Sequence, residues 1–334
     1  MTVERTSLMP CLPWFGEALL PSQGRRDGTP PPPIIAPRFE LVDERLGRLQ
    51  YFSNAAERVS AAMAPALVLV HAPHLGGGAH DLRRLFEQFR DERVVYALDL
   101  PGFGHSEYAA HAAPGADLYV TAIARMVELA ALAAGPRVDV VAVGLSAEFA
   151  AKVTAQRPEL VRSLGLIDPT GFASELERGA FERAARRGNA LLSVALLDRL
   201  GLGPLLYDGL VTGLSLRWLA QRTRAPAAAH ALHYARAAAQ RPGTERATLA
   251  FLRGALFPRE NPQTIYTRVH RPTLILAPVE APRRFGELAR FVKWRDHFSA
   301  QALASLDLTT RAGCAEVIDA LREFWAGPAR PSRV

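Results

Sequence analysis

The sequence predicts an α/β protein with a mostly parallel central sheet, helices on both faces and an inserted helical cap. Two observations carry this prediction. Continuous apolar runs at residues 66–70 and 94–98 have the length and composition of strands buried on both faces, and helical patterns alternate with them. From about 171 to 263 the alternation stops, and alanine-rich and leucine-rich helical sequence replaces it. We therefore expect an α/β core at 38–170 and 264–334, with the cap at 171–263.

The predicted elements follow one another regularly along the chain. Residues 1–37 contain a run of four prolines, Pro30 to Pro33, and are expected to form a flexible tail, because proline is excluded from helix interiors and central strands. Strands are predicted at 39–42, 48–52, 66–70, 94–98, 138–145, 161–167, 273–276 and 304–309. Helices are predicted at 82–89, 117–133, around 149–153, at 285–293 and across 317–325.

Composition argues against several classes of function. The net charge of +7 comes from arginines spread along the whole chain rather than from a dense basic run, which argues against nucleic-acid binding. With only two cysteines, Cys11 and Cys314, neither a disulfide framework nor a thiolate zinc site is expected. No apolar run reaches about 18 residues, and the first residues do not resemble a secretion signal. We therefore expect a cytoplasmic protein without a transmembrane segment.

A serine follows the third of the buried parallel strands. Residues 144–148 read Gly-Leu-Ser-Ala-Glu, and a serine on a tight turn between a strand and a helix is typical of a nucleophile elbow. In such an elbow the backbone N–H of Ala147 faces the substrate oxyanion, and the positive end of the helix points to the same place. The pattern is weak alone, but a buried strand precedes it and an apolar helix follows it.

Other segments extend this pattern. The sequence ALDLPGFGHSE at 97–107 follows the second buried strand, His71 ends the first, and LGLIDPTGF at 164–172 includes the end of the fourth. With the serine turn, these segments resemble the α/β-hydrolase superfamily over roughly residues 38–330. The resemblance implies an α/β-hydrolase fold with a pocket between cap and core, and the leucine-rich sequence of the cap predicts that this pocket takes a mainly apolar small molecule.

The resemblance also implies a triad of serine, acid and histidine in that chain order. Ser146 takes the place of the nucleophile. The acid is either Glu280, after the strand at 273–276, or Asp168, at the end of the preceding strand. Both alternatives stay open. The sequence around Glu280 also fits an ordinary loop glutamate, and the sequence around Asp168, ahead of Pro169, also fits a turn aspartate.

The chain departs from the family pattern at the base and at the oxyanion hole. Cys314 stands where the resemblance places the histidine base, and a thiol is a poor general base near neutral pH. Relatives commonly read His-Gly-x after the first buried strand, whereas this chain reads His71, Ala72, Pro73, His74. Because proline has no N–H, Pro73 removes the second oxyanion donor, which His74 or the glycines after it would have to replace.

Two hypotheses about function follow. The first is an atypical serine hydrolase, with Ser146 as nucleophile, acting on an ester or related carbonyl of a mainly apolar small molecule. The alternative is a non-catalytic protein that keeps the fold and binds a small molecule or a partner. No cofactor or metal is expected, because His71, His74 and His80 are spread over a strand end and a glycine loop that does not impose a coordination geometry.

Overall fold

A computed structural model describes residues 37–57, 64–109, 111–173, 207, 234–235, 237–241, 243–252, 254–280 and 282–327. The predicted tail apart from Pro37, and residues 174–206 and 208–233 of the predicted cap, lie outside the described residues. The domain boundaries therefore stay predictions.

In the described part of the chain, eight strands form one sheet. They are β1 (Arg38–Asp43), β2 (Gly47–Ser53), β3 (Leu67–Val70), β4 (Val95–Leu98), β5 (Val138–Val143), β6 (Val161–Ile167), β7 (Thr273–Pro278) and β8 (Phe298–Leu303). Their order in the sheet is β1-β2-β4-β3-β5-β6-β7-β8. The β1–β2 and β2–β4 pairs are antiparallel, and every other pair is parallel. The predicted α/β fold with a mostly parallel sheet is confirmed.

Helices cover both faces of this sheet. They are α1 (Arg83–Phe89), α2 (Ala116–Ala134), α3 (Ser146–Gln156), α4 (Thr244–Leu252), α5 (Pro262–Thr267), α6 (Leu288–Lys293) and α7 (Arg311–Ala326). On one face, buried side chains of α2, α3 and α6 pack on the strands, and on the other face α1 and α7 do so. Successive residues of β5 from Val140 to Val143 alternate between the two cores, which explains why these four residues are all apolar.

The last strand lies six residues before its predicted position. β8 occupies 298–303 instead of 304–309, and it pairs with β7 from Thr273 opposite Phe298 to Pro278 opposite Leu303. The apolar alternation that suggested the later position is real, because Leu308 is buried and Leu306 packs against the core. Both leucines nevertheless lie in the loop between β8 and α7, so this loop spans 304–310.

The parallel strands bring several loops to one edge of the sheet. Val70 pairs with Ala142, Val143 with Ile167, and Ile167 with Leu276. The residues after these strands therefore leave the sheet side by side at its carboxyl edge, where open parallel sheets bind ligands.

Candidate active site

The turn between β5 and α3 has Gly144 at its vertex. The φ angle of Gly144 is 59°, and its N–H donates to the carbonyl of Ile167 at 2.9 Å. Among the described residues, a Cβ atom built on Gly144 would have one neighbour within 4 Å, the Cβ of Ala72 at 3.3 Å. In a nucleophile elbow the nucleophile occupies the strained position of the turn. Here that position has no side chain and faces the loop after β3.

Ser146 lies two residues beyond the vertex, as the first residue of α3. Its side chain is fully buried, and its hydroxyl donates to the carbonyl oxygen of His71 at 2.6 Å. Among the described residues, Asp168 is the only non-glycine with a positive φ, so Ser146 does not have the strained backbone of an elbow nucleophile. The sequence placed Ser146 at the nucleophile position, and this geometry differs from that expectation, because the G-x-S pattern also fits a serine two residues past the vertex.

The backbone N–H of Ala147 was expected in the oxyanion hole. It instead donates to the carbonyl of Gly144 at 3.1 Å, inside the turn. This N–H is therefore already bonded within the chain, and it does not supply the donor that the sequence suggested.

His71 is a structural residue in the neutral form. Its Nε2 accepts from the N–H of Leu100 at 3.0 Å, and its Nδ1 lies 2.8 Å from the carbonyl of Ala72. These partners require the proton on Nδ1, and burial lowers the pKa of His71 to about 4. The ring thus ties the loop after β3 to the loop after β4. Pro73, also buried in this loop, has no N–H to offer.

His74 is held as a cation at the edge of the same loop. Its Nε2 lies 3.0 Å from the Asp81 carboxylate and its Nδ1 lies 3.1 Å from the Leu75 carbonyl. Two acceptors require two N–H groups, which only the imidazolium has. Burial alone would lower the pKa of His74, but the Asp81 carboxylate outweighs burial and raises it. His74 is therefore an electrostatic group, with no free nitrogen to act as a base.

The two candidate acids have different surroundings. Asp168 follows β6 with a φ of 50°, and its carboxylate pairs with the guanidinium of Arg284. Burial raises the pKa of Asp168 to about 6 despite this cation. Glu280 is exposed, in the turn after β7. Among the described residues, neither carboxylate has a histidine as hydrogen-bond or ion-pair partner, so the structure does not assemble the acid–histidine pair of a triad.

Cys314 is not in the loop where the base was expected. It belongs to the first turn of α7, which begins at Arg311 with the Thr310 hydroxyl as its cap. Its thiol is buried among apolar side chains such as Val317, and burial raises its pKa to about 11. The placement of Cys314 in the base position is corrected accordingly. The misplaced β8 caused this error, and the true loop at 304–310 contains no histidine.

A buried acid on α3 did not figure among the predicted site residues. Glu148 is 1% exposed, and the Thr170 hydroxyl donates to its carboxylate. Burial raises the pKa of Glu148 to about 7. The available signal was an acidic residue inside an otherwise apolar helical sequence, where an ionised side chain is costly.

Neither a metal cluster nor a membrane helix is found in the part of the chain that the structure describes. No group of three or more His, Cys, Asp or Glu side chains there has an arrangement able to hold a metal ion. None of the helices described is both long enough and apolar enough to cross a bilayer.

The chain is similar to known proteins of one fold. A sequence profile of the alpha/beta hydrolase fold matches residues 65–239. A comparison with curated protein sequences gave no match. The chain is similar to a solved structure of carboxylesterases from Nitrososphaera gargenis, with 13% identity, a TM-score of 0.59, and coverage of 86% of this chain and 97% of that chain. It is also similar to a thermophilic esterase from Thermogutta terrifontis, with 15% identity, a TM-score of 0.58 and coverage of 88% and 100%.

A third similar structure is an enol-lactonase from Burkholderia xenovorans. The identity is 13%, the TM-score is 0.56, and the match covers 84% of this chain and 97% of that chain. At such low identities the likeness extends to the fold and not to the reaction.

Proposed function

The chain belongs to the alpha/beta hydrolase family, and we propose that it binds an apolar small molecule at the carboxyl edge of its sheet without serine-based catalysis. The observation that carries the proposal is the glycine at the vertex of the turn after β5. Gly144 offers no nucleophile, and the nearby Ser146 hydroxyl is bonded to a backbone carbonyl. A carbonyl oxygen stabilises a hydroxyl but does not remove its proton as a general base does.

The other catalytic positions support the same proposal. The loop at 304–310 contains no histidine, and Pro73 lacks the N–H that would complete an oxyanion hole. Loss of one such donor has cost about 2.7–4 kcal/mol of transition-state stabilisation in a measured enzyme, and loss of the base lowers the rate on the order of 10⁶-fold. Among the described residues, Ala72 is the one neighbour of the missing Gly144 Cβ, so the turn after β5 faces the loop after β3 with no side chain that could act as a nucleophile.

One observation favours the alternative of an atypical serine hydrolase. Ser146 is the first residue of the eleven-residue helix α3 and contacts the loop after β3 through His71. A helix N-terminus stabilises an alkoxide or an oxyanion. In this alternative the Ser146 hydroxyl leaves the His71 carbonyl, its proton passes to the carboxylate of Asp168 or Glu280, and its oxygen bonds to the ester carbonyl carbon of an apolar substrate. The ester C–O bond then breaks, the alcohol departs with that proton, and water releases the acid from Ser146.

A fluorophosphonate probe separates the two functions. The full-length protein is incubated with the probe, and any adduct is located by mass spectrometry in the wild type and in Ser146→Ala. In parallel, binding and hydrolysis of hexyl acetate are followed by saturation-transfer NMR and by release of hexanol. We expect no adduct, and hexyl acetate bound but intact. Rapid labelling of Ser146 that disappears in Ser146→Ala would establish the hydrolase instead.

A further inference from the structure

A buried polar cluster joins two loops of the carboxyl edge to a residue of the second half of the chain. We call it the His80 cluster, and its members are His74, His80, Asp81, Asp99, His105 and Tyr234. The first three lie between β3 and α1, the next two follow β4, and Tyr234 precedes α4. The cluster shares its first loop with Ala72, which faces the vacant position at Gly144.

Every member of the cluster except His80 has a hydrogen-bond partner. Asp81 accepts from His74 at 3.0 Å and from the N–H of Gly78 at 3.2 Å. Asp99 accepts from the backbone N–H of Ala79 at 2.6 Å and of His105 at 2.8 Å. The hydroxyl of Tyr234 lies 2.6 Å from Nδ1 of His105. Within the His80 cluster, His80 is therefore the one residue without a hydrogen-bond partner among the described residues.

Within the described part of the chain, both ring nitrogens of His80, Nδ1 and Nε2, lack a hydrogen-bond partner. The His80 side chain is 2% exposed. The Oδ1 atom of Asp81 is 3.4 Å from Nε2, beyond the usual range of an N–H···O bond. Burial lowers the pKa of His80, so the ring is neutral and offers one donor and one acceptor. Buried polar groups are rarely left unpaired, which points to a partner from outside the chain.

An aromatic ring lies beside His80, and its loop also contacts a small apolar cluster. The ring of Tyr234 lies 4.5 Å from the His80 ring, centroid to centroid. Tyr207 and Ala239 form a small apolar cluster against Leu75, in the same loop as His80. A ligand here would meet carbon surface together with one imidazole.

The charges of the cluster select the kind of polar group. The pKa values of Asp81 and Asp99 are lowered although burial opposes this, so both are ionised. The Asp81 carboxylate lies 3.4 Å from Nε2 of His80, and Arg241 offsets part of the charge of Asp99. An anionic group such as a carboxylate is repelled, whereas a hydroxyl matches a neutral imidazole as both donor and acceptor.

We propose that His80 is a ligand-binding residue whose ring nitrogens hydrogen-bond a hydroxyl group of the small molecule held at the carboxyl edge. This inference rests on the proposed binding function and names the ligand class, a neutral apolar alcohol. His80 then gives the ligand its orientation, and Tyr234 covers its carbon chain.

Two probes of equal chain length test the proposal, 1-hexanol and hexanoate. Their binding to the full-length protein is measured by saturation-transfer NMR titration, in the wild type, in His80→Leu and in His111→Leu as a matched control at an exposed histidine. We expect hexanol to bind the wild type and His111→Leu at least tenfold more tightly than hexanoate. His80→Leu should lose at least tenfold in hexanol affinity. Its melting temperature should stay the same or rise, because an unpaired buried polar group is replaced by an apolar one.

The outcomes are separable from those of the proposed function. Hexanol binding that His80→Leu leaves unchanged, or hexanoate binding as tightly as hexanol, would overturn the role of His80 but not the binding function. No hexanol binding to the wild type would also overturn it. A melting temperature lowered in His80→Leu with unchanged hexanol affinity would show a structural histidine. The proposed function is tested separately by the fluorophosphonate probe and by hexyl acetate: labelling of Ser146, or hexyl acetate that does not bind the wild type, would contradict it whatever His80→Leu does.

Discussion

The hydroxyl of Ser146 donates to the carbonyl oxygen of His71 at 2.6 Å, and both residues are fully buried. This bond joins the first residue of α3 to the residue that follows β3, two elements 75 positions apart in sequence. Ser146 resembles a nucleophile in the sequence, but in the structure its hydroxyl joins two neighbouring loops by a hydrogen bond.

Ser146→Ala is expected to lower the free energy of unfolding by about 1–2 kcal/mol, because the buried His71 carbonyl loses its donor. Urea denaturation measures this loss. Ser299→Ala is the matched control, since the buried Ser299 hydroxyl lies 3.4 Å from the Thr273 carbonyl and contributes a weaker bond. Equal losses in the two variants would contradict the structural role of Ser146.

Gly144→Ala tests the vertex of the turn. A side chain at a φ of 59° costs about 1 kcal/mol, and its Cβ would also press on Ala72 at 3.3 Å. Gly254→Ala is the control, because Gly254 has a φ of 75° and its missing Cβ has no atom of the described residues within 4 Å. We expect chemical denaturation to show a larger loss of stability for Gly144→Ala. If Gly144→Ala were the more stable of the two, the turn would have a different backbone.

Cys314→His tests whether this position belongs to a catalytic site. Because Cys314 is buried in the first turn of α7, imidazole there meets apolar side chains and not the turn after β5. The expected result is no gain in p-nitrophenyl acetate hydrolysis and a loss of about 2–4 kcal/mol in stability from overpacking and a buried polar ring. Cys314→Ala, the control, should lose less. A large gain in esterase activity would return Cys314 to the active site.

Glu148→Gln is expected to stabilise the protein at alkaline pH. Burial raises the pKa of Glu148 from 4.5 to about 7, so the folded state binds the proton more tightly than the unfolded state. The stability that this group contributes is present below about pH 4.5 and is lost as the pH rises through 7. Glutamine keeps an acceptor for Thr170 without titrating. At about 1.36 kcal/mol per pKa unit, the variant should gain roughly 2–3 kcal/mol at pH 8 and little at pH 4. Thermal unfolding across this range is the measurement, and a pH-independent difference would contradict it.

Asp139→Asn tests a charge network at the amino end of β5. The fully buried Asp139 carboxylate lies 2.7 Å from Arg93 and 2.6 Å from Arg162. Removing its charge leaves the Arg93 guanidinium buried and uncompensated, at a cost of about 3–5 kcal/mol. Asp117→Asn is the control, because Asp117 is 92% exposed in its pair with Lys152 and contributes below about 1 kcal/mol. Urea denaturation that gave similar losses for both would refute the role of Asp139.

The fold was predictable wherever burial imposed a periodicity on the sequence. The run 66–70 was recognisable because β3 has neighbours on both sides and cores on both faces, and the same holds for β5. β8 was misplaced because the loop leucines Leu306 and Leu308 pack against the core as strand residues do. Apolar alternation reports burial, and it does not report which backbone hydrogen bonds a segment makes.

The site was less predictable, because it depends on backbone angles and on contacts between distant segments. The sequence around Ser146 fits a nucleophile elbow with either Ser146 or Gly144 at the vertex, and the positive φ of Gly144 indicates that Gly144 is at the vertex. Likewise, no local pattern indicates that His80 meets Tyr234 across more than 150 residues. The wrong placement of Cys314 followed from the wrong placement of β8, because a strand predicted too late in the sequence also places the loop after it too late.

The strand order has a consequence for synthesis of the chain. β6 ends at Ile167, but its outer neighbour β7 begins only at Thr273, so more than a hundred residues leave the ribosome in between. During that interval the backbone groups of β6 along that side have no strand to pair with. Bare, apolar strand edges are sites of aggregation. Nascent or truncated chains that stop before Thr273 should therefore depend on chaperones, whereas the finished protein covers this edge with two further strands.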